Sequence, residues 1–214
     1  KEIATIMTLE QGKVLAESLI EVHFTADTFE WYAEECKRAY GRIIPSRAPG
    51  QRMMVLKEPV GPVAAFSPWN FPALTPGRKV GAALAAGCTC ILKPAEETPG
   101  TALALAQALE DAGLPKGVLS VVFGVPSDIS TYRIASPVVR KISFTGSTAV
   151  GKHLAGLAAQ GAKRATMELG GHAPVLIFDD ADIGKVATLA AASKLRNAGQ
   201  VCISPTRFYV QDRV

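Results

Sequence analysis

Apolar residues recur along the chain at helical and strand spacings by turns. Residues 1–36 carry an acidic, amphipathic helical pattern, interrupted near Thr25, with Phe24, Phe29, Trp31 and Tyr32 as its packing residues. Residues 41–51 contain Gly and Pro and read as a connector. The apolar run 60–66 predicts a strand, and Thr75 followed by Pro76 predicts the N-cap and first turn of a helix to about Ala86. Further strands are expected at 89–93, 119–123, 140–144, 164–169 and 175–178. Helices are expected at 99–112 (closed by Gly113), from about Asp128, at 147–159 and at 183–196. Repeated β-α-β units with short apolar strands predict an α/β fold, a mainly parallel sheet with helices on both faces. Ligands of such sheets sit beyond the carboxyl ends of the strands, which directs attention to 67–71, 93–96, 145–148 and 168–171.

Composition narrows the class. The 214 residues are 48% hydrophobic and 20% charged, which excludes a disordered chain. No apolar run reaches the roughly 18 residues of a membrane helix, and the longest, 80–92, is broken by Gly81, Gly87 and Thr89. No leader pattern opens the chain, so a cytoplasmic protein without a membrane partner is expected. It begins at Lys1 without Met and ends at Val214 after a strand-like run, which suggests part of something longer. Residues 1–40 hold four basic and eight acidic side chains, while the whole chain is +4, so the remainder is strongly basic. Those basic residues are scattered and never form a run with interleaved aromatics, so no nucleic-acid partner is expected. Cys36, Cys88, Cys90 and Cys202 have no disulfide or metal-ligand spacing, which fits a reducing compartment and no metal. Cys88 and Cys90 read as small buried side chains.

Five segments can carry chemistry. Residues 146–152 fit the first part of a phosphate-binding loop, but His153 stands where a Mg²⁺-binding hydroxyl is required. What remains is a Gly146-Ser147-Thr148 turn opening a helix, suited equally to a simple cap or to a pyrophosphate. There is no G-x-G-x-x-G. Cys202, beyond a helix in a Gly-bearing loop, is either a nucleophile or an inert thiol, and His172 is its only reasonable histidine partner for hydrolase chemistry. Glu168 beside Gly170 and Gly171 is a general base or a cap. Asn70, between Pro68 and Pro72, is an oxyanion donor or part of a rigid turn around Trp69. Lys93 and Glu96 could grip a ribose or stand as surface charges.

In this order, 67–72 (Ser-Pro-Trp-Asn-Phe-Pro), 93–96 (Lys-Pro-Ala-Glu), 144–148 (Phe-Thr-Gly-Ser-Thr), 168–171 (Glu-Leu-Gly-Gly) and 199–202 (Gly-Gln-Val-Cys) closely resemble the aldehyde dehydrogenase superfamily, in its semialdehyde-oxidising branch. The resemblance covers practically the whole chain. It implies a Rossmann-like sheet cut short at both ends, with residues 1–169 in the dinucleotide-binding domain and 170–214 opening the catalytic domain. It implies Cys202 as nucleophile, Asn70 and the Cys202 backbone N–H as oxyanion donors, and Glu168 as the base that activates water against a thioester. It places Phe66, Ser67 and Trp69 along the cofactor cleft, Lys93 and Glu96 at the adenosine ribose, and Gly146 and Ser147 at the pyrophosphate. Glu96 favours free ribose hydroxyls, so NAD is expected over NADP.

Arg78 and Arg196 match positions held to bind the distal carboxylate of succinate semialdehyde, and 197–207 also resembles α-ketoglutaric semialdehyde dehydrogenases. The expected partner is a small aldehyde, and the full-length enzyme is expected to be a homo-oligomer. Pro76 and Gly77 depart from the helix-friendly residues usual before Arg78, and Ser204 stands where some relatives carry a second Cys. A catalytically inert NAD-binding fragment and a cysteine acyl hydrolase are the competing readings.

Overall fold

The computed structural model describes all of residues 1–214. Two helices open the chain, α1 (Glu2–Gln11) and α2 (Leu15–Glu35). The break falls at residues 12–14 rather than near Thr25, because Lys13 turns inward there. Thr25 stays helical with its hydroxyl donating to the Glu21 carbonyl one turn back, 2.7 Å. Phe29 packs against the core, whereas Phe24 and Trp31 face solvent. The expected connector at 41–51 contains β1 (Arg42–Ile44), which pairs antiparallel with β2 (Met53–Val55). Strands of three residues are too short to show a period.

The central sheet comprises β3 (Val63–Phe66), β4 (Cys90–Lys93), β5 (Leu119–Val121), β6 (Lys141–Gly146) and β7 (Arg164–Leu169). Its order is β5-β4-β3-β6-β7 and every neighbouring pair is parallel. Helices α3 (Leu74–Ala85) and α4 (Pro99–Asp111) cover one face, and α5 (Pro126–Ala135) and α6 (Thr148–Gln160) the other. β3 is central and buried at every residue, as its unbroken apolar run requires. Val63, Ala65, Cys90 and Leu92 pack with Val80 and Ala83 of α3, while Ala64, Phe66, Ile142 and Phe144 pack with Ile134 and Leu154. Cys88 and Cys90 lie together in the first of these layers, as small buried side chains, and burial pushes the Cys90 thiol up to about 12.

Helix α3 starts at Leu74, one residue before the expected cap. The amides of Ala73 and Leu74 donate to a carboxylate oxygen of Glu21 (2.9 and 3.0 Å), so a residue of α2 supplies the cap. Thr75 is thereby released to donate its hydroxyl to the Phe71 carbonyl. Beyond the sheet, β8 (Ala173–Ile177) pairs in parallel with β9 (Pro205–Val210), connected through α7 (Ile183–Leu195). No residue of α7 is buried.

The strand order fixes where the sheet can bind a ligand. From β3 the chain moves to β4 and β5 on one side, then returns to lay β6 and β7 on the other. This reversal is a topological switch point, and a ligand crevice opens between the carboxyl ends of β3 and β6.

Candidate active site

The crevice is framed by residues 66–69 after β3 and by Gly146 and Ser147 after β6. Helix N-termini attract anions, but two in this fold are already filled. Glu21 caps α3, and the Glu10 carboxylate accepts from the Gly100 and Thr101 amides and the Thr101 hydroxyl at the start of α4. At α6 the only side-chain cap is Ser147, which accepts from the Val150 amide at 3.4 Å. The Thr148 and Ala149 amides that start α6 therefore remain open, at the edge of the switch-point crevice. Across the crevice the Ser67 hydroxyl is buried without any hydrogen-bond partner, while the Ser67 amide donates to the Lys93 carbonyl, 3.1 Å. Open amides facing an orphaned hydroxyl fit the phosphates and sugar of a dinucleotide.

The other residues expected along this cleft take different positions. Lys93, buried, forms an ion pair with the half-open Glu96 at the end of β4. Trp69 is exposed, whereas the Phe66 side chain lies inside the core, leaving only its backbone to the crevice. Gly146 is fixed by packing. A Cβ there would sit 2.5 Å from the Phe144 ring, so no larger residue lets that ring fold back against β6.

Asn70 is brought to Gln200, in the loop leading to Cys202, across 130 residues. The Asn70 side-chain Nδ2 donates to the Gln200 carbonyl at 2.9 Å, two residues ahead of the exposed Cys202. This uses one of the two N–H bonds of the amide and leaves the other for an oxyanion. The loop leading to Cys202 is wound left-handed, with positive φ at Asn197 (52°), Ala198 (54°) and Gly199 (77°). Only Gly199 adopts this conformation without steric cost, so the loop needs anchoring. Asn197, almost fully buried, supplies the anchor. Its Nδ2 donates to the Asn70 carbonyl at 2.8 Å and to the Gln200 carbonyl at 3.3 Å.

Glu168 stands near the end of edge strand β7, exposed and paired in register with Thr145. Three residues on, the Gly171 Cα faces the Cys202 carbonyl, with room for a Cβ at 3.9 Å. His172 is held elsewhere: Nδ1 shares a hydrogen bond with the Thr206 hydroxyl, 2.8 Å, and its carbonyl accepts from Arg207. The guanidinium of Arg196 lies 6.0 Å from the centre of the Phe71 ring, next to Asn70. Arg78 is exposed on α3 and makes no hydrogen bond or ion pair.

Several residues that join this site were not singled out from the sequence. Gln11, Lys13, Glu17 and Glu21 all reach the Asn70 or Asn197 segments. Lys79 of α3 is buried on the sheet face that carries Glu168, its Nζ hydrogen-bonded to Ser143 Oγ at 3.2 Å. Burial pulls its ammonium down to about 8, with the Glu168 carboxylate acting in the opposite sense.

A parallel sheet with an anion-ready crevice at its switch point, and an exposed thiol on a loop at its edge, defines a nucleotide-binding α/β class. The aldehyde dehydrogenase family matches residues 1–214, and the chain belongs to it. It is 55% identical over 214 residues to the 4-(hydroxymethyl)benzenesulfonate dehydrogenase TsaD1 of Comamonas testosteroni. It is 51% identical over 213 residues to the NADP(+) succinate-semialdehyde dehydrogenase GabD of Escherichia coli. The crystal structure of succinate-semialdehyde dehydrogenase from Burkholderia pseudomallei superposes with a TM-score of 0.97 and 52% identity over 99% of this chain and 44% of that one. All of this chain matches, but it spans only about 45% of the length of those two curated relatives. No helix is long and apolar enough to cross a membrane.

Proposed function

We propose that the protein carrying this chain oxidises an aldehyde bearing a distal anionic group, a semialdehyde such as succinate semialdehyde, to its acid. The bond from Asn70 Nδ2 to the Gln200 carbonyl carries the reading, because it fixes an uncharged donor beside the loop that presents Cys202. In this reading the Cys202 sulfur, its proton passed to Glu168 or water, attacks the aldehyde carbon and forms a thiohemiacetal. The free Asn70 N–H and the Cys202 backbone N–H stabilise its oxyanion. A nicotinamide dinucleotide, held by Ser67, the Lys93–Glu96 pair, the Gly146-Ser147 turn and the open amides that start α6, supplies the hydride-accepting chemistry when bound. Glu168 then takes a proton from the water that cleaves the thioester, returning the Cys202 thiol and releasing the acid.

Residues 1–169 form the dinucleotide-binding domain in this reading, and 170–214 open the catalytic one. The names of two relatives point to anionic substrates, one a sulfonate and one a carboxylate. Arg196 beside Phe71, with Arg78 on α3, are the guanidinium groups proposed to take that anion. An α-ketoglutaric semialdehyde carries the same group. Glu96 at the end of β4 disfavours a 2′-phosphate, so NAD is the preferred cofactor in this reading, although the 51% identical relative is named for NADP(+).

Aldehyde-dependent growth of NADH absorbance, measured on the full polypeptide carrying this chain, tests the reading. The expected result is turnover that Cys202→Ala abolishes and Asn70→Ala lowers about 10²–10³-fold in kcat. Undiminished turnover in Cys202→Ala refutes it, and a higher kcat/KM with NADP refutes the cofactor preference. A second reading, dinucleotide binding without turnover by the 214 residues alone, is favoured by the exposure of Leu189, Ile203, Phe208 and Val210 around the thiol segment. The same assay on this chain by itself decides it.

A further inference from the structure

The turn between α1 and α2 and the first turns of α2 place three charged side chains at intervals of four residues, Lys13, Glu17 and Glu21, against the two loops of the site. Lys13 and Glu21 form a buried ion pair whose side chains are 1% and 2% exposed. Lys13 Nζ also donates to the Asn70 carbonyl at 2.9 Å and stands 4.4 Å from the centre of the Phe71 ring. The other carboxylate oxygen of Glu21 accepts the Ala73 and Leu74 amides. Residues 70–74 are thus pinned at three points by one ion pair.

On the nucleophile side, the Glu17 carboxylate accepts the Asn197 amide at 3.0 Å, and Gln11 Nε2 donates to Gln200 Oε1 at 3.2 Å. The Asn70 carbonyl accepts from both Lys13 and Asn197, so the two sets of contacts meet on a single atom.

We infer that Lys13, Glu17 and Glu21 are positioning residues that set the relative placement of the Asn70 amide and the Cys202 loop. None of them is placed at the reacting atoms by the mechanism above. A buried ion pair is a weak source of net stability compared with apolar residues of the same volume, whereas it specifies geometry where its hydrogen bonds are all made. Here they are made: Glu21 accepts three, and Lys13 donates two and faces a ring. Burial pulls the Lys13 ammonium below the usual lysine range, and the Glu21 carboxylate opposes this. Displacing a donor by about 1 Å is enough to cost on the order of 100-fold in rate, so small losses of register are visible in kinetics.

The catalytic part of this inference rests on the dehydrogenase reading, and the test separates the two. In the full polypeptide, Lys13→Met with Glu21→Gln removes both charges at near-constant volume and leaves an acceptor for Ala73 and Leu74. Glu17→Ala, at a half-buried position, is the second variant should the first not fold. Each is expected to lower kcat about tenfold or more with KM for the aldehyde nearly unchanged. Made in an Asn70→Ala background, the same substitutions are expected to change kcat less than about twofold, since the donor they position is gone.

Amide hydrogen exchange is expected to quicken at residues 70–74 in the first variant and at 197–200 in the second. An equal loss of kcat with and without Asn70, or unchanged exchange at these segments, overturns the inference. If the unaltered enzyme shows no aldehyde-dependent turnover, the dehydrogenase reading fails, and the exchange comparison still decides whether these residues hold the loops.

Discussion

Replacing Lys79 by Met should make the protein more stable at neutral pH and should remove part of its pH dependence. The Lys79 ammonium is buried under α3, with Ser143 Oγ as its one hydrogen-bond partner. The charged or titratable groups acting on it are Glu168, which favours its charged form, the Cys90 thiol, and Lys141, which opposes it. Burial prevails and brings it from an ordinary 10.5 to about 8. A group whose folded value is lower than its unfolded value binds fewer protons when folded, so stability rises with pH between the two.

Below pH 8 the folded state therefore carries the whole penalty, on the order of 3 kcal/mol, and this is relieved progressively up to about pH 10.5. Methionine has nearly the same reach and no charge to desolvate, but it leaves Ser143 without its partner, a loss of about 1 kcal/mol. The net expectation is a gain of about 2 kcal/mol at pH 7 that has vanished or reversed by pH 10.5. Denaturant unfolding of both proteins across this range measures it, and their difference cancels the groups that titrate in both. A difference that stays constant with pH, or a Lys79→Met variant less stable at pH 7, refutes the reasoning.

Glu10→Ala strips the start of α4 of the acceptor for two amides and a hydroxyl, with an expected cost of about 1–2 kcal/mol in denaturant unfolding. Glu10→Gln should recover part of this, and an unchanged midpoint in Glu10→Ala would show that water replaces the carboxylate. Gly146→Ala drives a methyl against the Phe144 ring and should cost about 1–3 kcal/mol, seen in the same unfolding measurement. Arg196→Ala should raise KM for succinate semialdehyde about tenfold or more while leaving an uncharged aldehyde nearly unaffected, as a charge-assisted contact predicts. Equal effects on both substrates would remove Arg196 from the anion site.

How much of this was legible depends on how local each signal is. Strand β7 was expected at 164–169 and occurs there; β3 and β4 were found because buried parallel strands are short apolar runs bounded by turns, and β6 because its apolar Ile142 and Phe144 alternate with polar residues. The candidate segments 67–71, 145–148 and 168–171 follow from a related local signal: an α/β sheet binds ligands at strand ends, and strand ends can be read from the sequence. The hairpin β1–β2 was too short to show a period. Thr75 had the residue type and the following proline of an N-cap, yet Glu21, 52 positions before Ala73, holds the amides instead. Capping preferences describe a helix in isolation, and a carboxylate delivered by a packed neighbour overrides them.

The positioning residues were illegible for a deeper reason. Charges spaced by four along an acidic helix have the signature of a solvated face, because the pattern records only that they share a side. Which side is covered is decided by partners far away: Asn70 lies 57 positions from Lys13, and Asn197 lies 180 from Glu17. Lys79 was hidden likewise, 64 positions from Ser143, since one lysine in an apolar helix reads the same whether it reaches water or stays beneath the helix. In both cases the polar group is buried by a contact that no window of residues contains. The side chains proposed to react could thus be read from the sequence, and those that hold them in place could not. A reacting group needs only its own chemistry and a strand end, whereas a supporting group has no identity until the chain has folded around it.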